Sequence, residues 1–159
     1  MGRVARYMID TSALVKYYHP EVGSSQVIAV ADNPGNILFP SRIGLVEIHS
    51  ALARKVRMGE LPMLAFRQSL GRFYTDLRER KFRLVRSLVM HERQAIRLLA
   101  GKGSTLPLRT LDALQLSVAL WLRDQQQLDY FLCADTQLCN AAQQEGLSVI
   151  NPETSWIPP

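Results

Sequence analysis

Tyr7-Met8-Ile9-Asp10-Thr11-Ser12-Ala13-Leu14-Val15-Lys16 is the stretch on which the fold turns. Tyr7 to Ile9 is short, apolar and flanked by charge, so it reads as a buried strand. Ser12 to Tyr18 reads as a helix that stops near His19-Pro20. A strand that runs straight into a helix is the repeating unit of a parallel sheet. Between the two lies Asp10, which has two readings. Asp is a favoured N-cap, and ligands of open parallel sheets bind at the carboxyl ends of strands. Taken by itself, the cap is the better reading.

The rest of the chain repeats the unit. Ser24 to Ala31 reads as a second helix, stopped by the turn Asn33-Pro34-Gly35-Asn36. Ile37-Leu38-Phe39 is a second strand. Pro40-Ser41 opens a long helix to Met58, with Gly59 as its stop. Leu64, Phe66, Leu70, Phe73, Tyr74 and Leu77 recur at helical spacing within Leu61 to Arg80. Phe82 to Val85 alternates like a short strand. Ser87 to Ala100 and Leu108 to Asp124 read as helices, the second apolar nearly all round and therefore buried. Tyr130 to Ala134 is a strand, Thr136 to Glu145 a helix, and Leu147 to Ile150 the last strand. This alternation predicts an α/β fold in three layers, α/β/α, around a mostly parallel sheet of about five strands. The 159 residues suit a single domain over 1–159, with its core at about 7–152 and a short C-terminal tail.

Bulk properties narrow the class. No stretch approaches about 20 uninterrupted apolar residues, so no membrane span is expected. The N-terminus lacks the features of a secretory signal, which points to a cytoplasmic protein. Cys133 and Cys139 do not form a CxxC pair and read as buried free thiols. His19, His49 and His91 lack zinc-like spacing and read as partly exposed polar residues. The formal charge of +5 suits a polyanionic partner without demanding one.

Four acids stand out by position. Asp10 follows the first strand, and Asp135 follows Phe131-Leu132-Cys133-Ala134. Glu47 lies in the apolar helical stretch Ile43-Gly44-Leu45-Val46-Glu47-Ile48, and Asp112 in Leu111-Asp112-Ala113-Leu114-Gln115-Leu116. A charge in a buried helix is costly unless it is paired or holds a metal. Pairing would mean a nearby Arg for Glu47 and Arg109, one turn earlier, for Asp112. Clustered carboxylates repel, and a hard divalent cation such as Mg²⁺ or Mn²⁺ relieves this. Such a site suits hydrolysis of a phosphodiester by water.

With these motifs in order, the chain resembles the PIN-domain ribonucleases, and most closely the VapC-type toxins of prokaryotic toxin–antitoxin pairs. The resemblance runs from Met8 to about Pro152. Ile9-Asp10-Thr11-Ser12-Ala13-Leu14-Val15-Lys16 is similar to the first acidic motif of that family. Glu47-Ile48-His49-Ser50-Ala51-Leu52-Ala53-Arg54 is similar to the second, and Leu108-Arg109-Thr110-Leu111-Asp112-Ala113-Leu114-Gln115-Leu116 to the third. Cys133-Ala134-Asp135-Thr136-Gln137-Leu138, with Gly146-Leu147-Ser148-Val149-Ile150-Asn151-Pro152, is similar to the fourth and the closing strand. The resemblance implies a pocket of Asp10, Glu47, Asp112 and Asp135, with Asp10 and Asp112 as the firmest metal ligands and Ser12 beside them. It also implies RNA cleavage with Mg²⁺ or Mn²⁺, a homodimer, and inhibition by a small cognate antitoxin of the VapB kind. Two departures are Gln115, where His is common, and Cys133, where Thr or Ser is common; neither is an acid of the pocket.

Basic residues bear on the RNA. Arg54 lies two turns after Glu47 and Arg109 shares a face with Asp112, so both suit phosphate contacts or acid-orienting ion pairs. The run Arg78-Glu79-Arg80-Lys81-Phe82-Arg83 reads as a solvated edge, and Tyr17 and Tyr18, which could stack on bases, read better as packed in the core or against an antitoxin. A phosphoryl-accepting receiver would want a second acid near the first strand and a Lys after the last. A haloacid-dehalogenase-type phosphatase would want Asp at Ser12. Neither pattern is present. The remaining alternatives are a housekeeping PIN ribonuclease of RNA maturation and a non-catalytic PIN binding module.

Overall fold

Side-chain alternation along the first strand sets the layers. The computed structural model describes residues 4–154, so the end of the expected tail, from 155 on, lies outside the described residues. In β1 (Ala5–Ile9) Tyr7 and Ile9 join one hydrophobic core while Met8 joins another. In β3 (Tyr130–Leu132) Leu132 goes with the first core and Phe131 with the second. Pleating sends successive side chains to opposite faces, and here both faces are apolar because both are covered.

The first core is closed by α1 (Thr11–Tyr18), α2 (Ser24–Ala31), α3 (Arg42–Arg57) and α4 (Met63–Arg78). The second is closed by α5 (Val89–Lys102), α6 (Thr110–Asp124) and α7 (Thr136–Gln144). Between them lies a wholly parallel sheet in the order β2-β1-β3-β4, with β2 at Asn36–Phe39 and β4 at Val149–Ile150. Of the readings open to Tyr17 and Tyr18, the core is the one found. Their hydroxyls donate to Asp32 and Asp76. Cys133 and Cys139 are buried and free. Among the described residues no helix is long and apolar enough to cross a membrane.

The sheet has four strands, not about five. Phe82 to Val85 does run beside β2, through bridges from Leu38 to Phe82 and from Ser41 to Val85. Arg83 N donates to Leu38 O and Val85 N to Pro40 O, both at 2.9 Å. Pro40 has no N–H to return, so the ladder breaks before it becomes a strand. Two further expectations change. His91 is not partly exposed but buried at 2% exposure, edge-on to Trp121. Helix α6 starts at Thr110 rather than Leu108, which puts Asp112 in its first turn, where an acid faces the positive end of the helix.

The chain leaves β1 for β2 on one side and later returns to β3 on the other. The carboxyl ends of β1 and β3 therefore flank the crevice where the strand order reverses. Asp10 N donates to Leu132 O at 2.9 Å and ties these two ends together.

Candidate active site

Asp10, the N-cap of α1, receives the Ser12 N–H at 2.9 Å and the Ser12 hydroxyl at 2.6 Å, both on Oδ2. The same hydroxyl accepts from Ala134 N at 2.9 Å and Asp135 N at 3.2 Å. One serine oxygen thus joins the turn after β1 to the turn after β3. Asp135 caps α7, its Oδ1 accepting from Leu138 N at 3.0 Å. Cap and site readings are compatible: each acid spends one oxygen on its helix.

Glu47 arrives from α3 across the crevice. Its Oε2 accepts from Gln115 Nε2 at 2.7 Å and from Thr11 Oγ1 at 3.1 Å. Gln115 Oε1 in turn accepts from Ser41 Oγ at 2.6 Å, and Ser41 caps α3 through Gly44 N. The alternative reading of Glu47, an ion pair with a nearby Arg, gives way to this neutral network. For Asp112 the alternative pairing is present: Arg109 Nε donates to Asp112 Oδ2 at 3.0 Å, and Arg109 Nη2 reaches Asp135 Oδ2 at 3.2 Å. Arg109 N also donates to Asp112 Oδ2.

Asp10, Ser12, Glu47, Arg54, Arg109, Asp112 and Asp135 all line one cavity of about 390 Å³. Thr11 and Arg57 line it too. The basic run at 78–83 does not. Burial pushes the Asp10 carboxyl up to about 6 against the Ser12 hydrogen bonds, and the charges of Glu47 and Asp112 push the same way. Burial also raises Glu47, with Gln115 and Thr11 opposing and Asp112 adding to the rise.

No protein-family model and no curated protein sequence matches the chain. Solved structures do match. The sarcin-ricin loop cleaving toxin VapC20 of Mycobacterium tuberculosis superposes with a TM-score of 0.65 at 16% identity, over 92% of this chain and 99% of that one. VapBC2 of Rickettsia felis, bound to a DNA fragment from its promoter, gives 0.60 at 17% identity, over 92% of this chain and 98% of its own. FitAcB of Neisseria gonorrhoeae gives 0.59 at 15%, over 92% and 97%. The chain has the fold of a VapC-type PIN domain.

Within this PIN fold the donor set suits a hard divalent cation. The groups are carboxylate oxygens, and Asp10 and Asp112 are almost fully buried. Among the described residues no three His, Cys, Asp or Glu side chains converge tightly enough to make a finished metal cage, and the Arg109 guanidinium lies across two of the acids.

Sequence reasoning missed Gln115 and Thr11 as site residues. Gln115 departs from the PIN pattern, yet it links Glu47, Thr11 and Ser41. Its signal was available: a fully buried amide in an apolar helix, three residues after an acid, must find hydrogen-bond partners. Gly44 completes the network by leaving room, since a Cβ there would come within 3.3 Å of Thr11 Oγ1 and 3.4 Å of Gln115 Nε2.

Proposed function

We propose that this chain is a metal-dependent endoribonuclease and the toxin of a VapBC-type pair. The observation that carries the reading is the convergence of four acids from four separated segments on one cavity that three arginines also line. Asp10 and Asp112, with Glu47 and Asp135, would hold Mg²⁺ or Mn²⁺. When bound, the cation lowers the pKa of water and neutralises charge gathering on the phosphate.

The protein's own groups do the rest. The hydrogen bonds to Glu47 fall on Oε2, so Oε1 is left to take a proton as water attacks phosphorus. The phosphorus–oxygen bond to the leaving ribose breaks, and the released oxygen is protonated from solvent. Arg54 and Arg57, exposed and without ion pairs among the described residues, hold flanking phosphates. Ser12 keeps Asp10 and the Asp135 backbone in register.

A small antitoxin is the proposed partner, and the toxin is proposed to act as a homodimer. Val46, Met63, Leu64 and Tyr74 stand exposed on α3 and α4, a surface that suits an apolar partner segment. Incubation with total RNA in Mg²⁺ tests the reading. Wild type should cut, EDTA should stop it, and Asp10→Ala or Asp112→Ala should abolish cleavage while circular dichroism stays unchanged. An Asp10→Ala protein that cuts at the wild-type rate overturns the mechanism. Growth arrest on expression, relieved by the same variant, separates a toxin from a maturation enzyme.

A further inference from the structure

Arg109 is oddly placed for a phosphate ligand. Its side chain is 74% exposed, yet its guanidinium turns inward and spans Asp112 Oδ2 and Asp135 Oδ2 at 3.0 and 3.2 Å. Those two oxygens come from different elements, one from the first turn of α6 and one from the cap of α7. A cation bound by these acids and this guanidinium would compete for the same atoms.

The acids do not need the guanidinium to stay in place. Asp112 Oδ2 also accepts the Arg109 backbone N–H at 3.2 Å, and Asp135 Oδ1 accepts Leu138 N at 3.0 Å. Both carboxylates are oriented by backbone groups that remain if the side chain swings out. The ion pairs themselves are partly solvated, and such pairs contribute little. A guanidinium also has a second natural partner at this site, since its planar fork fits a phosphate bidentately.

We infer that Arg109 is a resident competitor for the cation, which exchanges the two carboxylates for a substrate phosphate and thereby couples metal binding to RNA binding. The inference rests on the proposed metal site. A phosphate that draws Arg109 outward frees both Oδ2 atoms for the cation, and a cation that displaces Arg109 releases it to the phosphate. By linkage the two effects are equal in size.

Calorimetric titration with Mn²⁺, without RNA, tests this in wild type, Arg109→Gln, Arg54→Gln and Asp10→Asn. Any lost arginine near the acids favours Mn²⁺ through space, and Arg54→Gln measures that background. Arg109→Gln should bind Mn²⁺ at least about fivefold more tightly than wild type, and clearly more tightly than Arg54→Gln. Equal affinities of the two arginine variants overturn the competition and leave only general charge. Weaker binding by Arg109→Gln also overturns it and makes Arg109 an orienting residue. Wild-type affinity in Asp10→Asn, or no binding by any variant, overturns the metal site itself and the inference with it.

Discussion

At the scale of single residues, the site depends on neutral groups as much as on acids. Gln115 donates to the one Glu47 oxygen that also takes the Thr11 hydroxyl, which leaves the other free. Gln115→Ala should therefore slow RNA cleavage by about 10–100-fold, the usual cost of losing an orienting partner, with secondary structure retained. Full activity in this variant would show that Glu47 is held by other means. Asp10, Glu47, Asp112 and Asp135 were legible in the sequence because acids after strands or inside apolar helices are anomalies. Gln115 was legible only in part, because an amide in an apolar run signals that it needs hydrogen-bond partners but not which ones. Those partners are far away in sequence: Thr11, Ser41 and Glu47.

At the scale of elements, the helix boundaries read well where turn chemistry is explicit. Gly23 caps α2 with φ of +86°, and a Cβ on it would lie 2.8 Å from the Pro152 carbonyl oxygen. Strain and backbone collision act together, so Gly23→Ala should cost about 1–3 kcal/mol in urea unfolding. An unchanged midpoint would mean that the chain after β4 does not rest on this turn. Helix α5 carries a second test. Nδ1 of His91 accepts from Leu88 N, which puts the proton of the neutral ring on a buried Nε2 without a hydrogen-bond partner. Burial holds its pKa below the ordinary value. The unfolded chain then takes up the proton first as pH falls, so His91 stabilises the fold above about pH 6.5 and loses that contribution below it. Thermal melts from pH 7.5 to 5.5 should fall more steeply for wild type than for His91→Gln; parallel curves would remove His91 from the balance. Neither the burial of His91 nor the failed strand at Phe82 to Val85 was legible, because both depend on what packs alongside.

At the scale of the whole molecule, the three layers followed from alternation of strands and helices alone, and the crevice followed from the strand order. The excess of +5 charge bears on the proposed RNA partner. Replacing both Arg54 and Arg57 by Gln should weaken binding to RNA of any sequence and reduce the slope of log affinity against log salt by about 1 for each arginine. Fluorescence anisotropy over a salt series reads this directly, and an unchanged slope would place the RNA elsewhere on the surface. The register of the two central strands has a separate consequence. Tyr7 pairs with Tyr130, and Ile9 with Leu132. The first acid is synthesised long before the strand that must lie beside it. A nascent chain shorter than about Leu138 lacks either the neighbouring strand or the helix that Asp135 caps. Chains stopped before that point therefore carry Asp10 and Glu47 without the other half of the pocket, and the four acids can converge only once Leu138 has been made.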